Sequence, residues 1–332
     1  MKILVTGGCG FIGSVFIKNA LKNQCKVMNL DALTYAANTF INEELKFNDS
    51  YSFKHANIID RQAVNTWINE FKPDSIVHFA AESNVDKSIE NASDFIQSNI
   101  VGTYILLTES LSFWETNNCN PNFRFLHVSS DEVYGSLEAS GKFNEHSNYL
   151  PNNPYSASKA SSDLLVRSWN KTYNFPTIIT NCSNNYGPYQ HDEKLIPKII
   201  LNGIKGEKIG LYGDGSHIRD WLHVDDHVDA LKILIQKAPG GCKFNIGGGM
   251  EQTNLRIAEL ICNFLDIKFP TNSPHNKLIE FIHDRPGHDF RYAIDSSNLK
   301  TKFGWKPKID LNSGLISTID WYIKKYELQS IN

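Results

Sequence analysis

The chain has 332 residues, a formal net charge of −3, and 41% hydrophobic and 21% charged residues. It is therefore an ordinary globular protein, long enough for two domains that share a cleft. The slight negative charge excludes a basic field for nucleic acid and a polybasic membrane footprint, and no apolar run approaches the ~20 residues of a membrane helix. We expect neither nucleic-acid nor membrane partners.

The N-terminus and the cysteines predict a cytoplasmic protein. The chain opens directly into an apolar strand at Lys2, without the regions of a signal peptide. Its six cysteines are scattered and form no C-x-x-C pair, which favours packed thiols in a reducing compartment over disulfides. No cysteine has a local histidine partner, so a catalytic thiol is not expected. We predict no metal site.

The first half alternates short apolar strands with helical patterns, which predicts a parallel sheet covered by helices on both faces. The predicted strands are Lys2–Thr6, Val27–Leu30, Ser75–Phe79, Phe125–Ser129 and Thr177–Thr180. The predicted helices are Phe11–Asn23, Arg61–Phe71 capped by Asp60, Ala92–Asn117, and Pro154–Tyr173 capped by Asn153.

After about residue 180 this rhythm changes, because loops lengthen and glycine and proline cluster, as in Gly247-Gly248-Gly249. No linker separates the two halves, so we expect the chain to cross between them more than once. The predicted fold class is α/β, a Rossmann-type doubly wound parallel sheet with a smaller C-terminal α+β substrate-binding domain. We place the NAD-binding domain at 1–180, with part of 215–240 added to it, and the substrate domain mainly at 181–332.

The segment from Thr6 to Gly13 has the pattern of a dinucleotide-binding loop. Gly7 permits a tight turn, Gly10 lets the backbone approach a pyrophosphate, and Gly13 allows close helix–sheet packing. The following helix presents its free N–H groups to the phosphates. Asp31 follows a second strand about twenty residues on, where it can accept hydrogen bonds from ribose hydroxyls and repel a phosphate. NAD is therefore favoured over NADP.

Tyr155 and Lys159 lie four residues apart and share one face of a predicted helix. A tyrosine hydroxyl is a weak base at neutral pH, but a neighbouring ammonium and a positive nicotinamide favour its phenolate. Alone, this spacing is also typical of an amphipathic helix with a surface lysine. After a nucleotide loop it indicates the pair that takes a proton from an alcohol while hydride leaves its carbon.

Ser130, Asp131 and Glu132 come just past the end of an apolar strand, which is where the active sites of open parallel sheets lie. Ser130 can hydrogen-bond the reacting hydroxyl. The two acids could merely cap the following helix. Beside a Tyr/Lys pair they indicate proton transfers beyond oxidation, such as the removal of water from an oxidised sugar.

At these residues the chain closely resembles the dTDP-glucose 4,6-dehydratases, which are extended short-chain dehydrogenases/reductases. The resemblance runs from Lys2 to about Tyr322 without a large gap. It is carried by the strings TGGCGFIG, DALTYA, HFAAES, SSDEVYG, PYSASKASSD, TNCSNNYGPYQ, EKLIP, GDGSHIRDWLHVDDH and RPGHDFRYAID. Epimerases and decarboxylases of the same superfamily share the glycine loop and the Tyr/Lys pair, but not the Asp-Glu pair.

The resemblance implies an NAD-dependent lyase that converts dTDP-glucose to dTDP-4-keto-6-deoxyglucose and water. Tyr155 resembles the base that deprotonates the 4-hydroxyl while carbon 4 gives hydride to NAD, and Lys159 resembles the residue that holds the ribose and tunes Tyr155. Glu132 resembles the base that removes the carbon 5 proton, and Asp131 the acid that protonates the departing 6-hydroxyl. Hydride returns to carbon 6, so tightly bound NAD is regenerated in each turnover.

The resemblance also implies two sets of binding residues. The cofactor set is Gly7, Gly10, Phe11, Ile12, Gly13, Asp31, Ala32, Leu33, Thr34, Asn57, Ile58, Ala80, Ala81, Glu82, Ser98, Tyr155, Lys159 and Asn185. The sugar-nucleotide set is Asn84, Ser130, Asn184, Lys194, Leu195, Tyr212, Arg219, Asn254, Arg285 and His288. Two arginines suit a diphosphate, which needs fixed cationic forks, although Arg219 could instead form a surface ion pair with Asp220, Asp225 or Asp289.

The chain departs from the family at a few positions. Asn84 replaces the usual histidine, Lys87 stands where arginine is common, and Asn57 replaces an aspartate. None of these changes removes a catalytic group. Three alternatives stay open: a preference for UDP-glucose, a nucleotide-sugar 4-epimerase, and a non-catalytic NAD-binding sensor.

We also predict a homodimer, because Ala92–Asn117 and Pro154–Tyr173 carry apolar residues beyond one buried stripe. These residues are Ile100, Tyr104, Leu107, Leu111 and Trp114 on the first helix and Leu164, Leu165, Val166 and Trp169 on the second. In the resembling family the two helices pair with their copies in a four-helix bundle. The alternative is that all of these residues pack on the sheet.

Overall fold

A computed structural model describes residues 1–330, with side chains as far as Tyr326. The strands are β1 Lys2–Thr6, β2 Lys26–Asp31, β3 Tyr51–His55, β4 Ser75–His78, β5 Arg124–Ser130, β6 Thr177–Cys182, β7 Asn184–Tyr186, β8 Ile209–Tyr212, β9 Ile218–His223, β10 Cys242–Ile246, β11 Glu251–Thr253 and β12 Ile279–Ile282. The helices are α1 Phe11–Lys22, α2 Phe40–Leu45, α3 Arg61–Phe71, α4 Val85–Glu90, α5 Ser93–Phe95, α6 Thr103–Thr116, α7 Pro154–Tyr173, α8 Leu195–Lys205, α9 Val224–Lys237, α10 Asn254–Lys268, α11 Ser297–Phe303 and α12 Leu311–Ser330.

Seven parallel strands form the main sheet, in the order β10-β6-β5-β4-β1-β2-β3. Helices α1 and α9 pack on one face, around Ile17 and Leu231. Helices α3, α6 and α7 cover the other face, around Leu106 and Val166. The strand order reverses between β1 and β4, which opens a crevice at the carboxyl ends of these strands. This confirms the predicted Rossmann-type fold.

The smaller lobe contains two sheets. In the sheet β11-β9-β7, β9 pairs antiparallel with β11 and parallel with β7. In the second sheet, β12 and β8 are parallel. Its own core lies between α8, α10 and α12, around Ile200, Ile261 and Leu315. The chain returns to the main sheet at β10, which pairs with β6 from Cys242 to Ile246. The predicted boundary between the NAD-binding domain and the substrate domain, at residue 180, remains a proposal.

The long helix predicted over Ala92–Asn117 is interrupted. After α5, residues Ile96–Gly102 form a π-helix before α6 begins. Asn99 lies in this segment and exchanges two hydrogen bonds with the backbone of Glu82, at 2.9 and 3.0 Å. The wider turn lets Asn99 reach this loop beside the crevice, and such π-segments are frequent at functional sites.

The predicted dimer helices contain both core and surface residues. Leu107, Leu111 and Val166 are buried within the protomer, so for these three the packing alternative is correct. Tyr104 and Leu164 are 41% and 57% exposed.

Within the described chain no helix is both long and apolar enough to cross a membrane. All six cysteines are free; Cys9, Cys25, Cys182 and Cys262 are buried, whereas Cys119 is exposed.

Candidate active site

The candidate site is a cleft of about 640 Å³ at the carboxyl ends of the main-sheet strands, where it passes under the second lobe. This volume suits a dinucleotide and part of a second ligand. Of the predicted residues, those lining the cleft are Gly7, Gly10, Phe11, Ile12, Gly13, Asp31, Ala32, Thr34, Asn57, Ile58, Ala80, Ala81, Glu82, Ser98, Ser130, Asp131, Glu132, Tyr155, Lys159, Asn184, Asn185 and Lys194.

The glycine loop forms the floor of this cleft between β1 and α1. Gly7 has a φ of 71°, and a Cβ atom on Gly13 would lie 2.4 Å from the carbonyl oxygen of Gly7. Only glycine permits so close an approach of helix and loop. At the end of β2, Asp31 accepts hydrogen bonds from the backbone N–H groups of Cys9 and Leu33, both at 2.8 Å. Loop and carboxylate are thus held in the arrangement that a dinucleotide requires.

Helix α7 presents Tyr155 and Lys159 to the cleft, and its N-terminus is held by the predicted cap. The Asn153 side chain accepts a hydrogen bond from the Ser156 N–H at 2.9 Å. The Lys159 ammonium donates to the carbonyl of Val128 at 2.9 Å. Burial, followed by the charge of Glu132, raises the pKa of Tyr155 well above its usual value, and a hydrogen bond with Ser130 opposes this rise. The phenol therefore keeps its proton in the free protein.

The adjacent acids have different surroundings. Burial and then the charge of Glu132 raise the pKa of Asp131 well above its usual value. Burial also raises the pKa of Glu132, but the cationic Arg285, Arg219 and Lys194 oppose that rise. Such a pair divides into a proton donor and a proton acceptor, since their environments push their pKa values apart.

The cations that face Glu132 come from the second lobe. Arg219 is 5% exposed, and it donates to the carbonyls of Phe290 and Asp289 at 3.2 and 3.0 Å and to His288 Nε2 at 2.9 Å. The alternative of a surface ion pair is therefore wrong. Burial and the nearby Arg285 lower the pKa of His288 to about 3, so its neutral ring accepts from Arg219 and donates from Nδ1 to Asp284 at 2.7 Å. These contacts fix the Arg219 guanidinium on the second lobe, where its charge acts on Glu132.

The remaining predicted residues are Leu33, Asn84, Leu195, Tyr212, Arg219, Asn254, Arg285 and His288, and they do not line this cleft. Arg285 forms an ion pair with Asp86 at 3.3 Å, and the Tyr212 hydroxyl donates to the same carboxylate at 3.1 Å. Arg285 and Tyr212 of the second lobe thus contact α4 through Asp86.

A contact that the sequence analysis missed joins three loops over the cleft. Glu193 accepts hydrogen bonds from the Tyr35 hydroxyl at 3.1 Å and from the Asn84 side chain at 2.7 Å. We call these three residues the Glu193 clasp. Its members lie in the strings DALTYA, HFAAES with its next residue, and EKLIP, but only the fold shows that these loops meet.

Several buried polar atoms face the cleft without a partner among residues 1–326. They include Ser129 Oγ, Asp131 Oδ2, Glu132 Oε2 and Asn184 Oδ1. Buried polar atoms without partners cost free energy, so these atoms are available to a ligand. Together with the glycine loop and Asp31, they fit a bound NAD and a polar substrate beside it.

Comparison with known proteins places this geometry among nucleotide-sugar enzymes. Residues 4–318 match the family described as GDP-mannose 4,6 dehydratase. The chain is 48% identical to a dTDP-glucose 4,6-dehydratase of Escherichia coli, over 98% of this chain and 95% of that one. It is also similar to the crystal structure of dTDP-glucose 4,6-dehydratase from Bacillus anthracis in complex with NAD, with 41% identity, 98% of each chain covered and a TM-score of 0.87. A second similar structure is that of DesIV, the dTDP-glucose 4,6-dehydratase of Streptomyces venezuelae, with NAD and dTDP bound. The identity is 38%, the match covers 99% of this chain and 98% of that chain, and the TM-score is 0.90.

Proposed function

We propose that this protein converts dTDP-glucose to dTDP-4-keto-6-deoxyglucose and water. The premise is that the chain belongs to the dTDP-glucose 4,6-dehydratases, within the GDP-mannose 4,6 dehydratase family. The observation that carries the proposal is the pair of acids that follows β5, the buried Asp131 and the partly buried Glu132, whose charges act on Tyr155 in the same cleft. Oxidation alone needs no such pair, whereas elimination of water needs an acid and a base.

NAD is the cofactor, and it supplies a hydride acceptor at carbon 4, a hydride donor at carbon 6 and a positive nicotinamide. The chain would bind its phosphates with the backbone N–H groups at the start of α1 and its adenosine ribose with Asp31. Lys159 would hold the other ribose. Because the phenol of Tyr155 is protonated in the free protein, its work as a base depends on positive charge brought close to it.

The two acids would act in the elimination of water, which follows the oxidation at carbon 4. Glu132, whose carboxylate is favoured by three neighbouring cations, would take the proton from carbon 5. Asp131, whose proton is retained by burial and by the charge of Glu132, would give it to the departing 6-hydroxyl. Ser130 hydrogen-bonds Tyr155 and would orient the hydroxyl at carbon 4.

Arg219 and Arg285 would bind the diphosphate of the substrate, since planar guanidinium groups suit phosphate oxygens. Asn84, Asn184, Lys194, Leu195, Tyr212, Asn254 and His288 complete the proposed substrate set. Support comes from the charges of Arg219 and Arg285, which both act on Glu132 and therefore lie near the proposed sugar site.

Incubation with dTDP-glucose tests the function directly. A 4-keto sugar absorbs characteristically after alkali treatment, so absorbance that grows with time is the expected result, and its absence contradicts the proposal. A substrate deuterated at carbon 4 separates the main alternative. The dehydratase moves the label to the methyl group, whereas a 4-epimerase leaves it at carbon 4 and a sensor leaves the substrate unchanged. Parallel assays with UDP-glucose measure the preference between thymine and uracil.

A homodimer through a four-helix bundle of α6 and α7 is part of the proposal. The exposed Tyr104 and Leu164 support it, because each helix keeps apolar surface that its own protomer leaves uncovered. We also propose a cytoplasmic location, which is supported by the six free cysteines. Fractionation of the source cells tests the location.

A further inference from the structure

A buried carboxylate behind the Tyr/Lys pair has no part in the proposed reaction. Asp163 follows Lys159 by one turn of α7, and Tyr155, Lys159 and Asp163 therefore lie along one face of the helix. All three side chains are buried, and Asp163 is only 1% exposed. A carboxylate in such a place is costly unless its surroundings stabilise it.

Two side chains from other segments donate hydrogen bonds to this carboxylate, and a histidine lies beside it. The Tyr149 hydroxyl donates to Oδ2 at 2.8 Å, and the Asn181 side chain of β6 donates to the same oxygen at 3.0 Å. His127 Nε2 of β5 lies 3.2 Å from Oδ1. Burial lowers the pKa of the His127 ring, and the neighbouring Asp163 opposes this change.

These contacts keep Asp163 ionised. Burial raises the pKa of its carboxyl, but His127, Lys159 and Asn181 lower it by more, and the net direction is downward. Because its two hydrogen-bond donors, Tyr149 and Asn181, carry no charge, the negative charge of Asp163 also acts on nearby cations.

Lys159 is the buried cation that meets this charge. Lys159 is 4% exposed, and its ammonium donates to the neutral carbonyl of Val128 at 2.9 Å. Burial lowers the pKa of Lys159, and the charge of Asp163 is the largest influence opposing that fall. A second cation, Lys243 of β10, lies over the rings of Tyr134 and Tyr149, at 5.2 and 4.8 Å from their centroids. Burial lowers the pKa of Lys243, and the charges of Asp163 and Glu145 oppose that change. Lys159 is thus the cation on the cofactor side.

We propose that Asp163 is a positioning residue whose buried charge keeps Lys159 cationic beside bound NAD. This inference rests on the proposed function, in which Lys159 holds the nicotinamide ribose. The oxidised nicotinamide adds a positive charge near a lysine that is already buried. Without Asp163, two cations would face one another in a region of low dielectric, and the lysine would lose its proton or the oxidised cofactor would bind less well.

The test uses the full chain with Asp163→Asn, which keeps the size of the side chain and removes its charge. We expect the alkaline limb of the kcat–pH profile to move about one pH unit lower. We expect the ratio of the Kd for NAD to the Kd for NADH to rise about tenfold. Tyr149→Phe is the matched control, because it removes one donor and leaves the charge; we expect lower thermal stability with an unchanged ratio.

The outcomes separate the possible roles. If Asp163→Asn lowers the melting temperature but leaves both the pH limb and the cofactor ratio unchanged, the residue only ties α7 to its neighbours and the proposal is overturned. If the wild-type chain shows no dehydratase activity, the proposed function fails, while the cofactor ratio still tests the charge. Should Asp163→Asn not fold, NMR of ε-13C-lysine in the wild-type NAD complex decides the matter: a Lys159 that titrates below pH 8 overturns the proposal.

Discussion

At the scale of single residues, the distinction between Asp131 and Glu132 depends on what lies around each carboxyl. Asp131 is buried and Glu132 partly buried. Burial raises the pKa of both carboxyls; for Asp131 the charges of Glu132 and Asp220 add to this rise and Arg219 opposes it, whereas for Glu132 the cations Arg285, Arg219 and Lys194 oppose it. The largest charge effect on Asp131 thus comes from an anion, whereas the largest on Glu132 comes from a cation. Two chemically similar groups can then hold different protonation states at one pH.

Asp131→Asn and Glu132→Gln test this division of roles. Each change keeps size and removes acid–base capacity, so we expect kcat to fall by ~10²–10⁴-fold while the Kd for NAD and for substrate changes little. A substrate with fluoride at carbon 6 should restore turnover to Asp131→Asn, because fluoride needs less protonation to leave. It should not restore Glu132→Gln. Equal rescue of both variants, or of neither, contradicts the assignment.

Asp220 gives a prediction about stability. Burial raises the pKa of this carboxyl from its ordinary 3.8 to about 6 in the folded chain, against a hydrogen bond from Met250 N–H at 2.8 Å. The folded state binds the proton more tightly than the unfolded state, so the cost is absent below pH 3.8 and fully present above about pH 6. It corresponds to about 3 kcal/mol.

Asp220→Asn should therefore gain stability over the wild type progressively from pH 4 to pH 7. The amide oxygen can still accept from Met250, so packing is retained. Urea unfolding at several pH values measures the difference. The surface change Asp49→Asn is the control and should show no such trend. A gain at pH 4 equal to that at pH 7 would show that packing, not ionisation, is responsible.

At the scale of elements, loops from three parts of the chain meet beside the cofactor cleft, which Glu193 lines. The Glu193 clasp joins the loop after β2, the start of α4 and the segment before α8. Lys194 adds a hydrogen bond to the carbonyl of Ser83 at 2.8 Å. Since hydrogen bonds to a charged group contribute roughly 1.5–3 kcal/mol each, these contacts are strong enough to restrain cofactor exit.

Glu193→Ala should release NAD faster than the wild type, by about tenfold or more if one charged hydrogen bond limits opening. Fluorescence of NADH after dilution, or of a displaced analogue, measures the rate. Asp192→Ala is the matched control, because this neighbouring carboxylate pairs with Lys325 at 3.3 Å on the outer surface. Equal release rates in the two variants would assign the loops no part in retention.

The helices and strands differ in how well the sequence alone predicts them. The bounds of α3 and α7 and both of their caps are as predicted, because Asp60, Asn153 and Pro154 act within one turn. The strands β3 and β10 were missed, since Tyr51–His55 is only half-buried and Cys242–Ile246 joins the sheet far along the chain. The π-helix at Ile96–Gly102 and the Glu193 clasp depend on contacts between distant residues, which local patterns do not encode.

At the scale of the whole molecule, α6 and α7 form an outer layer that the protomer covers incompletely. Tyr104 of α6 packs edge-on against Trp169 of α7, with ring centroids 6.1 Å apart. Leu164, five residues before Trp169 on α7, is 57% exposed. A two-fold axis through this layer would bring each exposed side chain against the same helices of the second copy, as an isologous interface requires.

We therefore expect a homodimer, and Leu164→Asp should weaken it because a charge would be buried against apolar side chains. Light scattering at micromolar protein should give twice 37.6 kDa for the wild type and a lower average mass for Leu164→Asp. Phe47→Asp is the control, since Phe47 is 89% exposed and lies away from α6 and α7; it should leave the dimer intact. A wild-type mass near that of one chain would refute the dimer. If Leu164→Asp has no effect on a stable dimer, the interface lies elsewhere than α6 and α7.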